Sequence, residues 1–242
     1  MKLKLGERPP EAIPFVRFPN GPHLYHTRAA QHKSFPHLGT HEFWCCALHA
    51  NAVIYMFPKT GRVFPFMTLL KIARMGHPVL LQPARPVTDP QAPAVRTLVA
   101  DMIETMLDAQ GAGLAAPQVH QGLRLFVYHV PPTRSTGEDD PPRPPSVLFN
   151  PVLEPVGDEM VDRLEGCLSI PGLRGWVPRH ARVAYKGLDA HGHVVQGVAS
   201  GFLANVLQHE YDHLNGILYP MRMTSLGRMG FDSEMARYGE RP

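Results

Sequence analysis

The sequence predicts an α+β fold, with strands at both ends of an ordered region and one central buried helix, rather than a βαβ alternation. Three observations carry this. Val95, Leu98, Val99, Met102, Ile103, Met106 and Leu107 recur at helical spacing as one apolar stripe. Leu123–Val130 reads as a strand, and Arg182–Gly187 and His193–Ala199 flank Asp189-Ala190-His191-Gly192 as a hairpin. In Ser200–Leu214, Phe202, Val206, His209 and His213 fall at i, i+4, i+7 and i+11, so two imidazoles share the inward face.

The chain of 242 residues begins with a segment unlike the rest. Residues 1–66 hold eight Lys or Arg against three Asp or Glu, six of the 14 His, seven of the 11 Phe and eight of the 26 Pro. They show no sustained period of 3.6 or 2. They read as an N-terminal extension, irregular or the product of an upstream start, with ordered patterning beginning at Met67. The apolar run Phe43–Phe57 is too short to span a bilayer and too far from the N-terminus for a signal peptide. The segment is basic, but it is not the Ser- and Arg-rich amphipathic stretch of a mitochondrial presequence. A cytoplasmic, bacterial-type protein with no membrane association is expected. A net charge of +3 is too small to argue for specific nucleic acid. Three cysteines, Cys45, Cys46 and Cys167, point to a reducing compartment rather than a disulfide scaffold.

From residue 67 the elements follow in order. Gly111 suits the position just past the first helix. Pro131–Pro145 holds six prolines and the acids Glu138–Asp140, and reads as a surface loop inserted in a hairpin. His191 and His193 sit at a turn tip and read as solvated. Ser200 is the candidate N-cap of the second helix, and Gly216 follows its end.

The chemical signal is Gln208-His209-Glu210-Tyr211-Asp212-His213. Two His at i and i+4 lie about 40° apart around a helix, so both can reach one metal ion. Glu210, about 100° from His209, is placed to reach a water on that ion without ligating it. Two core histidines with backbone partners would be the bland alternative. A third ligand is needed. No His follows His213, and Asp232 and Glu234 lie in a Gly-rich tail without the expected helical setting. Upstream, Glu165-Gly166-Cys167-Leu168-Ser169, with Pro171 after it, reads as a bend that would present a thiolate rather than bury a packing cysteine. In Gly111-Ala112-Gly113-Leu114-Ala115-Ala116-Pro117-Gln118, small residues admit a peptide backbone and Gln118 can donate a hydrogen bond. No Lys-Ser/Thr follows, so it is not a phosphate loop.

Together these three segments resemble the peptide deformylase family, whose motifs are Gly-x-Gly-x-Ala-Ala-x-Gln, Glu-Gly-Cys-x-Ser and Gln-His-Glu-x-x-His. The likeness spans about Met67 to Arg222 and includes Arg174, Val177-Pro178-Arg179 and the Asp212-His213-Leu214-Asn215-Gly216 exit. It implies small mixed or antiparallel β-sheets around a central metal-binding helix, with residues 67–242 as the catalytic domain. It implies hydrolytic removal of the N-formyl group from nascent formyl-Met polypeptides, with the ribosome as a transient partner. Cys167, His209 and His213 would bind a divalent metal, Fe2+ by the family's habit, with Zn2+, Ni2+ or Co2+ able to substitute. Glu210 would be the base, and the Leu168 N–H and the Gln118 amide would meet the oxyanion. Glu165, paired with Arg174, would steady the Cys loop. Substrate backbone would pair near Gly113 and Gly172, and the methionine side chain would enter a pocket of Ala112, Phe202, Val206 and His209. Asn205 falls on or near that wall, where the family places an aliphatic residue; it either narrows or polarises the pocket, or turns away. The rival reading is a metal-dependent endopeptidase built on the same helix.

Overall fold

The computed structural model describes residues 43–45, 56–58 and 68–238. The chain divides into two compact units, Met1–Pro65 and Phe66–Pro242. In the first, β1 (Phe43–Cys45) pairs antiparallel with β2 (Met56–Pro58). The proposed start at Met67 and the expected irregularity of residues 1–66 otherwise lie outside the described residues. No described helix is long and apolar enough to cross a membrane.

In the second unit α1 (Pro93–Asp108) carries the apolar stripe. Pro93 stands at its first turn, where a missing N–H costs nothing. Its end differs from expectation. Gln110, at φ 54°, takes the left-handed position. The Gln110 N–H donates to the Leu107 carbonyl and the Gly111 N–H to the Met106 carbonyl, closing the helix as a Schellman motif. Gly111 is one residue further on and is small for another reason: a Cβ there would lie 2.8 Å from Leu168 Cδ1.

Five strands form one antiparallel sheet in the order β3-β4-β5-β8-β9, from β3 (Gly113–Ala115), β4 (Leu125–Val130), β5 (Arg143–Pro155), β8 (Val183–Leu188) and β9 (Val194–Ala199). A second antiparallel sheet, of order β10-β7-β6, joins β6 (Met160–Cys167), β7 (Ile170–His180) and β10 (Met229–Phe231). The fold is α+β, as the sequence predicts, and all pairings in both sheets are antiparallel.

The helix α2 (Gly201–Leu214) is central. Its Leu203, Ala204, Val206 and Leu207 pack with Phe126, Tyr128 and Leu148. On the opposite face of β4, Leu125 and Val127 pack with Met102 and Met106 of α1. A strand covered on both faces has no polar side, which is why β4 is apolar without alternation. Burying each of those side chains contributes about 1.5–3 kcal/mol.

The proline-rich segment is the hairpin insertion between β4 and β5, but Pro144 and Pro145 belong to β5 and Asp140 is buried. Asp140 Oδ2 accepts from the Phe202 N–H at 2.7 Å and Oδ1 from the Leu203 N–H at 3.1 Å. The N-terminus of α2 is therefore capped from a loop 62 residues away in sequence, and not by Ser200, whose side chain makes no capping bond. Asp140→Ala should cost about 1–2 kcal/mol in urea unfolding, whereas Ser200→Ala should stay within about 0.5 kcal/mol. Equal effects would contradict this cap. The other end of α2 closes as expected, with Gly216 at φ 74°. The Asp189–Gly192 hairpin turn holds His191 and His193 exposed. The tail, read as lacking helix, forms α3 (Asp232–Tyr238).

Candidate active site

Three elements converge on one cavity of about 720 Å³. β3 and the turn after it bring Gly113 and Gln118, the β6–β7 bend brings Cys167 and Leu168, and α2 brings His209 and Glu210. Ala112, Glu165, Gly172, Arg174, Phe202, Asn205 and Val206 also line it.

Cys167, His209 and His213 place one ligand atom each within 4.8 Å of one another. Cys167 Sγ lies 3.3 Å from His213 Nε2. Ligands held at the usual 2.0–2.3 Å from a tetrahedral ion sit roughly 3.5 Å apart, so the trio fits a divalent ion. His209 Nδ1 is 2.8 Å from Glu165 Oε2, which leaves Nε2 as its ligating nitrogen. Burial by itself would raise the Cys167 thiol, but the His213 charge and the bonds from both histidines outweigh it and hold it well below its ordinary value. The site thus favours a thiolate.

Glu210 is buried, and its Oε2 has no hydrogen-bond partner among the described residues. Burial above all, with the charges of Cys167 and Glu165 adding and those of His209 and His213 opposing, pushes its carboxyl up to about 7. Gly113 makes room for it, since a Cβ there would overlap the Glu210 carboxylate. Gln118 Oε1 accepts from the Ala115 N–H at 2.8 Å, so Nε2 is the end turned to the site, 3.5 Å from Cys167 Sγ and 3.2 Å from Ser169 Oγ. Gln208, just before the motif, ties α2 to the end of β7 by bonding the His180 N–H and carbonyl.

One expected pairing is wrong. Arg174 does not meet Glu165; it pairs with Asp232 at 2.6 Å, and both are about half exposed. Glu165 pairs instead with buried Arg179, Nε to Oε1 at 2.7 Å and Nη2 to Oε2 at 3.0 Å. The reason is strand parity. Glu165 stands opposite Gly175 in register, so it shares a face with Gly175, Val177 and Arg179, whereas Arg174 stands opposite Gly166. Arg179 Nη1 also reaches Asp212 Oδ2 at 2.6 Å, and Asp212 Oδ1 accepts from Arg222 at 2.7 Å. Burial would raise the Glu165 carboxyl, but the bonds and charges of His209 and Arg179 win and hold it at about 2. Sequence reasoning places Arg179, Asp212 and Arg222 within the family likeness but gives them no role. The one available signal was the odd-numbered parity shared by residues 175, 177 and 179. Asp232 lines the cavity but stands outside the Cys-His-His trio, so among the described residues the tail supplies no third ligand.

Residues 69–229 match the family described as Polypeptide deformylase. Peptide deformylase 2 of Ralstonia nicotianae is 49% identical over 160 residues, covering 66% of this chain and 90% of that protein. Peptide deformylase 1 of Bordetella pertussis is 48% identical over the same shares. Among solved structures, the peptide deformylase of Ehrlichia chaffeensis superposes with a TM-score of 0.60 at 35% identity, over 66% of this chain and 91% of that one. The Met-Ala-Ser-bound class I type b peptide deformylase of Acinetobacter baumannii superposes with a TM-score of 0.60 at 37% identity, over 65% and 99%. Metal-ligand geometry, motif order and relatives agree, and the chain belongs to the polypeptide deformylase family.

Proposed function

We propose that this chain hydrolyses the N-formyl group of an N-terminal formylmethionine, with Cys167, His209 and His213 as ligands of one divalent ion and Glu210 as general base. The observation that carries the reading is the meeting, at one cavity, of that trio with a buried carboxylate whose Oε2 has no hydrogen-bond partner among the described residues. When bound, a divalent ion supplies an acidified water and polarises the formyl carbonyl. Among the candidate metals, Fe2+ is proposed as native, with Zn2+, Ni2+ and Co2+ as substitutes.

Glu210 takes the proton of the attacking water and passes it to the departing amine; its carboxyl, near 7, exchanges protons at neutrality. The Gln118 Nε2 amide and the Leu168 N–H face the oxygen on which charge develops. Glu165, clamped by Arg179, holds His209 in the tautomer that ligates through Nε2. β3 is the last strand of its sheet, so the substrate backbone adds along its free edge near Gly113, with Gly172, at φ 78°, on the other side. Ala112, Phe202, Val206 and His209 receive the methionine side chain. Residues 67–242 form the catalytic domain in this reading, residues 1–66 are an extension to it, and the protein meets its substrate in the cytoplasm, transiently at the ribosome.

Formate release from formyl-Met-Ala-Ser, measured on anaerobically purified chain alongside its metal content, tests this. Stoichiometric formate that stops on chelation is expected. Cleavage of internal bonds in an unblocked peptide without formate would overturn the reading.

A further inference from the structure

One polar side chain on the α2 wall has no part in that chemistry. Phe202, Asn205, Val206 and His209, at i, i+3, i+4 and i+7 of α2, all line the cavity. Asn205 therefore does not turn away from it. Its Oδ1 is buried and has no hydrogen-bond partner among the described residues. Nδ2, the other end of the amide, is not among these buried unpartnered atoms, and it carries two N–H donors. This part of the lining is not wholly apolar. His129 lies with Nε2 2.9 Å from the Gly111 carbonyl, and the Arg134 guanidinium sits 5.3 Å from the centre of the Phe202 ring.

We infer that Asn205 is a specificity-determining residue that donates a hydrogen bond to the tip of the first residue's side chain, so that formylmethionine sulfoxide is a substrate as well as formylmethionine. The inference rests on the deformylase reading. A thioether sulfur is a weak acceptor, whereas the oxygen of the sulfoxide is polar and on a side chain of the same length. In a purely aliphatic wall that oxygen would lose its water and find no partner, and such sites discriminate strongly. Asn205 supplies the partner. The hydrolysis itself is unchanged: the formamide C–N bond breaks, the water oxygen goes to formate and the proton to the amine.

The test compares kcat/KM for formyl-Met-Ala-Ser and its sulfoxide counterpart on the metal-loaded full chain, on Asn205→Leu and on Asn205→Asp. The wild type should process both. The sulfoxide-to-thioether ratio should fall about tenfold in Asn205→Leu, the upper range for one neutral hydrogen bond. It should also fall in Asn205→Asp, which keeps the shape and loses the donors. A ratio unchanged within twofold in both variants overturns the role of Asn205, as does a wild type that turns over only the thioether. Thermal unfolding shows whether each variant is folded, and two substitutions of different size guard against one that is not. Absence of formate from both peptides would sink the deformylase reading instead. Calorimetric binding of Met-Ala-Ser and its sulfoxide then reads Asn205 by itself, with the same ratio expected to shift and an unshifted ratio overturning it.

Discussion

Glu210→Gln is expected to retain one metal equivalent per chain and to lose about three orders of magnitude in kcat for formyl-Met-Ala-Ser, within the range for removal of a general base. The substitution keeps the shape of the side chain against Gly113, where no Cβ can stand. It leaves the Cys167, His209 and His213 ligand atoms in place and removes only the ability to take a proton. Elemental analysis and formate release measured on one preparation separate the two effects. Activity within tenfold of the wild type would show that the base lies elsewhere; loss of the metal would show that Glu210 holds the site together.

The largest stability effect should come from Arg179→Ala. This guanidinium is 5% exposed and is bonded to Glu165 and Asp212, which are equally buried. Its removal leaves buried Glu165 with only the His209 imidazole and Asp212 with only Arg222, for which about 3–5 kcal/mol is expected in denaturant unfolding. It also frees Glu165 to release His209, so metal affinity should fall by about 10–100-fold. Arg174→Ala, which breaks a half-exposed pair with Asp232, should cost under about 1 kcal/mol. Equal losses in the two variants, or a larger one for Arg174, would contradict the pairing.

These two arginines show where sequence reading stopped. Arg174 is nearer to Glu165 in the chain and is the partner that the family likeness implies. Arg179 is five residues further along the same strand and projects from the opposite face. Choosing between them needs the register of β6 against β7, and register is set by the bend at Cys167 and by what each face is packed against. The same limit applies at both helix ends that were misread. Nothing local to Ser200 announces that Asp140, across a proline-rich insertion, will cap α2. Gly111 looked like the residue that stops α1, yet Gln110 takes the left-handed turn, and Gly111 is small because Leu168 of a distant bend lies against it. Asn205 was visible as a polar residue on a pocket helix. Only the tertiary structure shows it lining the cavity with an oxygen unpaired among the described residues.

By itself the sequence determined α1, α2, the hairpin and the α+β class, and it singled out Cys167, His209 and His213. Those features rest on local periodicity and on separate short motifs, each of which lies within one turn or bend. Tertiary structure alone decided which charges meet, what caps α2, and which side chains line the cavity. Those depend on strand register and on approach between segments tens of residues apart, and a buried charge accepts whichever partner the packing brings to it.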